Sequence, residues 1–377
     1  MKGRLLAASA ATLALAAGLA LTACSGGSHA TPPLSSNAPA QQSPGGVSAQ
    51  QITDAMGSGP APASNVRKTE CFLGICGGLS HYNLDLNHIA VAGVSSGAMM
   101  AGQFHYAFSS HVKYEAQFAG GPYNCALNNL ANATNCMLGI FPEPLNLLEA
   151  TAKSYASSGL IDSTSNLAGS KGYFFSGKND LVVSTNTVKA AEQDLKDFGG
   201  TTIDNYTTQA GHTWPSPNGR NACAYTGPDW IDNCGIDPEQ TFLSEFFGSL
   251  NAKSSTPRGQ LIQFDQNRYS PILGWAPNIN MDTTGWVFVP SDCASGSSCK
   301  LVVVFTGCLA SQIYIGNDLE NYGNVDNWAD TNHMVVLYPQ LNVGWGSCWD
   351  WYGYTGVNYA VKSGPQMTAV WNMVQAL

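Results

Sequence analysis

His88-Ile89-Ala90-Val91-Ala92-Gly93-Val94-Ser95-Ser96-Gly97 is the stretch that decides how this chain is read. An apolar run with no polar interruption is a strand buried on both faces, which only a sheet covered by helices on each side can provide. A helix suits residues 98–108, so the five residues Gly93 to Gly97 form the turn between strand and helix. Their pattern is G-x-S-x-G. A serine on so sharp a turn needs neighbours without side chains, because the turn must press against the adjacent helix and strand while Oγ points into an open cleft. In a chain with 40 Gly the pattern alone is weak. The strand-turn-helix setting gives it weight.

Outward from this point, apolar runs alternate with helical stretches. Strands are expected at 88–93, 113–119, 172–176, 202–207, 260–265, 285–289, 301–305 and 334–338, and further helices at 185–198, 238–250, 324–332 and 365–376. The reading is an α/β protein of the α/β-hydrolase fold, with a mainly parallel eight-stranded sheet and helices on both faces. No internal repeat and no second shift of composition is visible, so residues 67–377 are expected to form a single catalytic domain.

A serine hydroxyl is a poor nucleophile near neutral pH and needs a base within hydrogen-bond reach, itself oriented by a carboxylate. Seven histidines are available. His29 stands in a low-complexity segment; His81, His88, His105 and His111 flank or lie on the elements around Ser95; His333 lies between a helix and a strand. His212, in the Gly-led loop Gln209-Ala210-Gly211-His212-Thr213-Trp214-Pro215 after a strand, stands where this fold puts its base. The acid should leave the preceding strand, and Ser176-Gly177-Lys178-Asn179-Asp180 does so, whereas Asp85, Asp162 and Asp204 are less well placed. Asp180 also has a competing use as a turn residue before the helix that begins near Ser184. Ser95, Asp180 and His212 follow the nucleophile, acid, base order of this fold.

The oxyanion of such a reaction is held by the N–H after the nucleophile, here Ser96, and by one from a loop after another strand. Val302-Val303-Val304-Phe305-Thr306-Gly307-Cys308 offers that loop, but it follows the histidine instead of preceding the serine. A circular permutation restores the usual order: joining Leu377 to the region near Tyr82 makes it regular.

Only 11% of residues are charged and the net charge is -9, so no basic surface is available for a phosphate backbone and nucleic acid is excluded as a partner. Residues 1–24 read as an export signal, with Lys2 and Arg4 before an apolar run that ends Leu21-Thr22-Ala23-Cys24, resembling a lipobox in which Cys24 is lipidated. Residues 25–66, rich in Ser, Pro, Ala, Gly and Gln, read as a disordered tether. Without Cys24, ten of the eleven cysteines remain, an even number in a compartment where disulfides persist. Cys71 with Cys76, Cys125 with Cys136, Cys223 with Cys234 and Cys293 with Cys299 lie close in sequence, and Cys308 with Cys348 remain as the fifth pair. No CxxC pair is matched by a second CxxC or by HxxxH, so no metal site is expected, and no cofactor is needed.

Together, Gly93-Val94-Ser95-Ser96-Gly97, Gly177-Lys178-Asn179-Asp180, Gly211-His212-Thr213-Trp214-Pro215, Phe305-Thr306-Gly307-Cys308, Val335-Val336-Leu337-Tyr338-Pro339-Gln340 and Ser347-Cys348-Trp349-Asp350-Trp351 resemble the extracellular poly(3-hydroxybutyrate) depolymerases of single-domain, circularly permuted type. The resemblance covers roughly residues 71–377. It implies a triad of Ser95, Asp180 and His212, the Ser96 and Cys308 N–H groups as oxyanion donors, and a surface crevice for one polyester chain lined by Trp349 and Trp351. Core packing is the competing use of those tryptophans. Thr306 departs from the pattern, since many relatives carry His there. The expectation is a secreted or cell-surface monomer acting on a polyester, attached to a membrane only through an N-terminal lipid. A carbohydrate esterase of feruloyl or acetylxylan type, or a non-catalytic polymer-binding lipoprotein, are the rival functions.

Overall fold

The computed structural model describes residues 67–71 and 76–377; the export segment, Cys24 and the tether lie outside the described residues. A nine-stranded sheet runs β1-β9-β10-β12-β11-β2-β3-β4-β5. From β12 to β5 the neighbours pair in parallel, whereas β10 is antiparallel to both β9 and β12. The eight expected strands are all present: β2 Ile89–Val94, β3 Val112–Phe118, β4 Lys171–Phe175, β5 Thr201–Asn205, β9 Gln260–Asp265, β10 Thr284–Val289, β11 Lys300–Phe305 and β12 Met334–Tyr338. The eight-stranded expectation falls short by β1, Arg67–Thr69, which pairs with β9 at one edge; three polar residues carry no apolar pattern to announce them. A small second sheet holds β6 Trp214–Pro215, β7 Asn221–Ala222 and β8 Ile231–Asn233.

Strand alternation divides the core into two layers. Leu301, Val303 and Phe305 of β11 face one layer, with Val302 and Val304 facing the other. On the first side pack α1 Ser96–Ala107, α4 Thr185–Asp197 and α6 Pro365–Ala376, through Phe104, Leu195 and Val370; α5 Pro238–Phe247 packs on the second through Phe242 and Phe246. The helix expected over 324–332 is short, Val325–Ala329. Among the helices not foreseen, the two long ones are α2 Leu130–Leu138 and α3 Leu145–Ser157, missed because only two residues of each are buried and their apolar stripe is narrow.

All twelve residues of α1 are buried. Only small side chains let a helix come so close to a sheet: a Cβ at Gly97 would stand 2.3 Å from the Phe305 carbonyl oxygen, and one at Gly93 2.2 Å from that of Gly97. These contacts lock β2, α1 and the end of β11 into one unit. The five disulfides form as paired in the sequence. No helix of the described residues is long and apolar enough to cross a membrane.

Candidate active site

Ser95 sits between β2 and α1 with φ 57° and ψ -122°, a conformation that costs a non-glycine residue on the order of 1–3 kcal/mol and persists only where surrounding contacts impose it. Here its N–H donates to the Phe118 carbonyl at 2.8 Å, and its carbonyl accepts from Ala98 and Met99. The half-exposed side chain therefore stands out from the C-terminal ends of the parallel strands, at the positive end of the α1 dipole.

The expected acid and base, Asp180 and His212, lie on the loops that follow β4 and β5. Their loops touch through glycine: a Cβ at Gly177 would lie 2.2 Å from the Ala210 carbonyl oxygen. Asp180 and His212 meet there. The His212 Nδ1–H donates to Asp180 Oδ2 at 2.8 Å, with side chains 6% and 1% exposed. The other carboxylate oxygen accepts the N–H groups of Val182 and Val183 at 2.8 and 2.9 Å, so Asp180 holds the turn with one oxygen and the His212 imidazole with the other. Ser184, not Asp180, caps α4.

The turn after β11 lies over Ser95. A Cβ at Gly307 would stand 3.4 Å from the Ser95 Cβ. Cys308 N–H donates to no described atom, and Ser96 N–H, the first in α1, has no partner within the helix by position. Both N–H groups thus belong to residues next to the Ser95 turn and to Gly307, with no partner among the described residues. The disulfide to Cys348 and the bond from Leu309 N–H to the Gly346 carbonyl hold this turn, while Thr306 Oγ1 is buried without a partner among the described residues.

His212 reaches the same rim through Trp230, whose ring meets the imidazole edge-on at 6.2 Å and whose Nε1–H donates to the Leu309 carbonyl at 3.1 Å. The Asp180–His212 half of the constellation is closed. Ser95 Oγ meets hydrogen-bond geometry with no described atom, and serine-to-base bonds of this kind commonly tighten only when substrate arrives. Chemically, the arrangement offers a hydroxyl, an oriented imidazole and two oxyanion donors, the parts of an acyl-transfer site.

The tryptophans expected to line a crevice are core residues instead. Trp349 has no exposed surface and packs edge-on against Phe305 at 5.0 Å, and Trp351 is buried beside Met99 and the Cys125–Cys136 bridge. Burial follows from their place under the nucleophile turn, where Trp349 N–H donates to Ser96 Oγ. The aromatic that stays exposed beside the oxyanion turn is Trp345, 44% exposed and stacked on Tyr354. Trp230 and Trp345 were not foreseen; the one sequence signal for the first was its position inside the Cys223–Cys234 loop that follows the histidine.

No protein-family model matches the chain. It is 37% identical over 303 residues to a poly(3-hydroxybutyrate) depolymerase of Delftia acidovorans, covering 77% of this chain and 60% of that protein's length. A polyhydroxybutyrate depolymerase of Talaromyces funiculosus is 34% identical over 322 residues, covering 79% of this chain and 92% of that one. Among solved structures, a PHB depolymerase serine-to-alanine variant complexed with an R3HB trimer superposes with a TM-score of 0.73, and a PHB depolymerase from Penicillium funiculosum with 0.72. Both are 33% identical and cover 80% of this chain and 98% of theirs. With identity sustained over nearly the full length of the fungal enzyme, and the same fold beneath it, this chain belongs to the polyhydroxybutyrate depolymerase family.

Proposed function

We propose that the chain is an extracytoplasmic serine esterase that hydrolyses poly(3-hydroxybutyrate), or a related short-chain polyhydroxyalkanoate, through an acyl-enzyme on Ser95. The observation that carries this reading is the buried Asp180–His212 pair together with Ser95, in its left-handed turn, lying against Gly307, the residue before Cys308. Asp180 keeps the Nδ1 proton in place, which leaves Nε2 to take the Ser95 proton as Oγ attacks an ester carbonyl. The Ser96 and Cys308 N–H groups hold the oxyanion, and protonated His212 returns its proton to the departing hydroxyl of the polymer chain. Water, activated by the same imidazole, then releases the 3-hydroxyacyl group. Each repeat is compact and carries one methyl, so apolar contact outweighs hydrogen bonding in recognition and selectivity among short side chains is modest.

The element order supports a circularly permuted α/β-hydrolase fold. The strand that leads to the oxyanion turn, β11, is the sheet neighbour of β2 yet follows His212 in the chain. Tyr82 N–H donates to the Leu377 carbonyl, so the end of α6 lies beside the segment that enters β2, and a link there would put β9 to β12 ahead of β2. Five disulfides support an oxidising compartment outside the cytoplasm. Lipidation of Cys24 and a monomeric state complete the proposal.

Clearing of a turbid poly(3-hydroxybutyrate) suspension by the wild-type chain, and not by Ser95→Ala, is the test. Release of ferulate or acetate without clearing would replace the polyester by a polysaccharide ester. Absence of both activities, together with failure of an organophosphonate to label Ser95, would leave a polymer-binding protein.

A further inference from the structure

The loop closed by the Cys223–Cys234 disulfide touches both halves of the site. Its Cys223 carbonyl accepts Gly211 N–H, Thr226 Oγ1 accepts the backbone N–H of His212 at 3.0 Å, and the Trp230 carbonyl accepts Trp214 N–H. These bonds fasten it to the base loop. At its far end Asp229 and Trp230 take successive left-handed conformations, φ 70° and 53°, although neither is glycine. Two such residues in a row are held only by outside contacts. Arg220 supplies one, pairing with both Asp229 and Asp318 while lying 4.4 Å over the Tyr322 ring. The other is the indole: its edge contact with His212 and the bond from Nε1–H to the Leu309 carbonyl.

Leu309 is the residue after the oxyanion donor, and it too is left-handed, with φ 56°. The Cys348 disulfide and the Gly346 carbonyl restrain the turn from one side. Trp230 alone bonds it, among the described residues, from the side of the base. We propose that Trp230 is a positioning residue that sets the distance between the His212 imidazole and the Cys308 N–H, so that proton transfer and oxyanion stabilisation act on one carbonyl group. The inference rests on the serine-esterase reading. Without the indole bond the Cys308 turn keeps its disulfide but loses its register toward His212, a displacement felt in the transition state and not in ground-state binding.

Trp230→Phe keeps an aromatic edge toward His212 and removes the N–H; Trp230→His returns a ring N–H. On a soluble 3-hydroxybutyrate trimer ester, Trp230→Phe should lower kcat about tenfold with KM within about twofold, and should slow organophosphonate labelling of Ser95 by a similar factor. Trp230→His should recover part of both. Wild-type kcat in Trp230→Phe, a loss confined to KM, or a loss that Trp230→His deepens instead of relieving would overturn the proposal. If the wild type labels at Ser95 but does not cleave the trimer, the polyester reading fails, and the labelling rates of the two variants still decide the role of Trp230.

Discussion

Replacing Asp180 by Asn isolates one hydrogen atom. Asp180 Oδ1 accepts two backbone N–H groups, from Val182 and Val183, and Oδ2 accepts the His212 Nδ1–H. In Asp180→Asn the introduced carbonyl oxygen must stay with the two amides, because an NH2 group there would face two donors. The amide nitrogen is then turned toward His212 and donates to Nδ1, so the imidazole proton moves to Nε2. That nitrogen can no longer accept the Ser95 proton. The side chain is 1% exposed, which leaves no water to repair the exchange. A wrong tautomer at such a site costs about ten-thousand-fold in kcat, about 5 kcal/mol of transition-state stabilisation. The fold should be spared, since the turn keeps both backbone bonds, and the denaturation midpoint should correspond to wild type within about 1 kcal/mol. Steady-state hydrolysis of a soluble 3-hydroxybutyrate ester beside urea titration reads both quantities. A kcat within tenfold of wild type would refute the assignment of Asp180, as would an equal loss traced to unfolding.

Ser95→Gly should abolish hydrolysis yet raise stability by about 1 kcal/mol, because glycine adopts φ 57° without strain; a lowered urea midpoint would contradict the strain argument. Removing the Cys308–Cys348 bridge by a double Ser substitution frees a loop of 40 residues, with an expected loss of about 4 kcal/mol in a denaturant titration and a fall in kcat larger than any rise in KM. Burial pushes Asp194, Asp232 and Glu320 up to about 7 from ordinary values below 5. The folded state therefore holds protons that the unfolded chain has released, and the stability they contribute, complete below about pH 4, is lost as pH rises toward and through 7. Melting temperature should accordingly fall from pH 5 to pH 8, and Asp232→Asn should flatten that slope; an unchanged slope would exclude Asp232 as a contributor.

Much of the candidate site could be proposed before the fold was known, for local reasons. The Gly93 to Gly97 motif announces a turn because its sterics involve a strand and a helix within a dozen residues, and the structure gives Ser95 the strained backbone that such a turn demands. The runs 301–305 and 334–338 are strands because each is apolar on both faces, and the cysteines close in sequence found one another. The edge strand β1 and the helices α2 and α3 escaped, since short or mostly exposed elements leave little apolar period. Trp349 and Trp351 show the limit differently: aromatics in a loop look alike whether they face solvent or core, and only the packing of that loop beneath the nucleophile turn buried them. The sequence by itself determined the class of fold, the disulfide pairs and the order of serine, aspartate and histidine, all consequences of periodicity, backbone sterics and spacing along the chain. The tertiary structure alone decided that Asp180 divides its oxygens between turn and imidazole, that Gly307 covers Ser95, and that Trp230 spans from His212 to Leu309. Apart from the local turn bonds of Asp180, the bonds from His212 to Asp180 and from Trp230 to Leu309 join residues 32 and 79 apart, longer loop closures that no local pattern records, and they exist only once the sheet has brought its strand ends together.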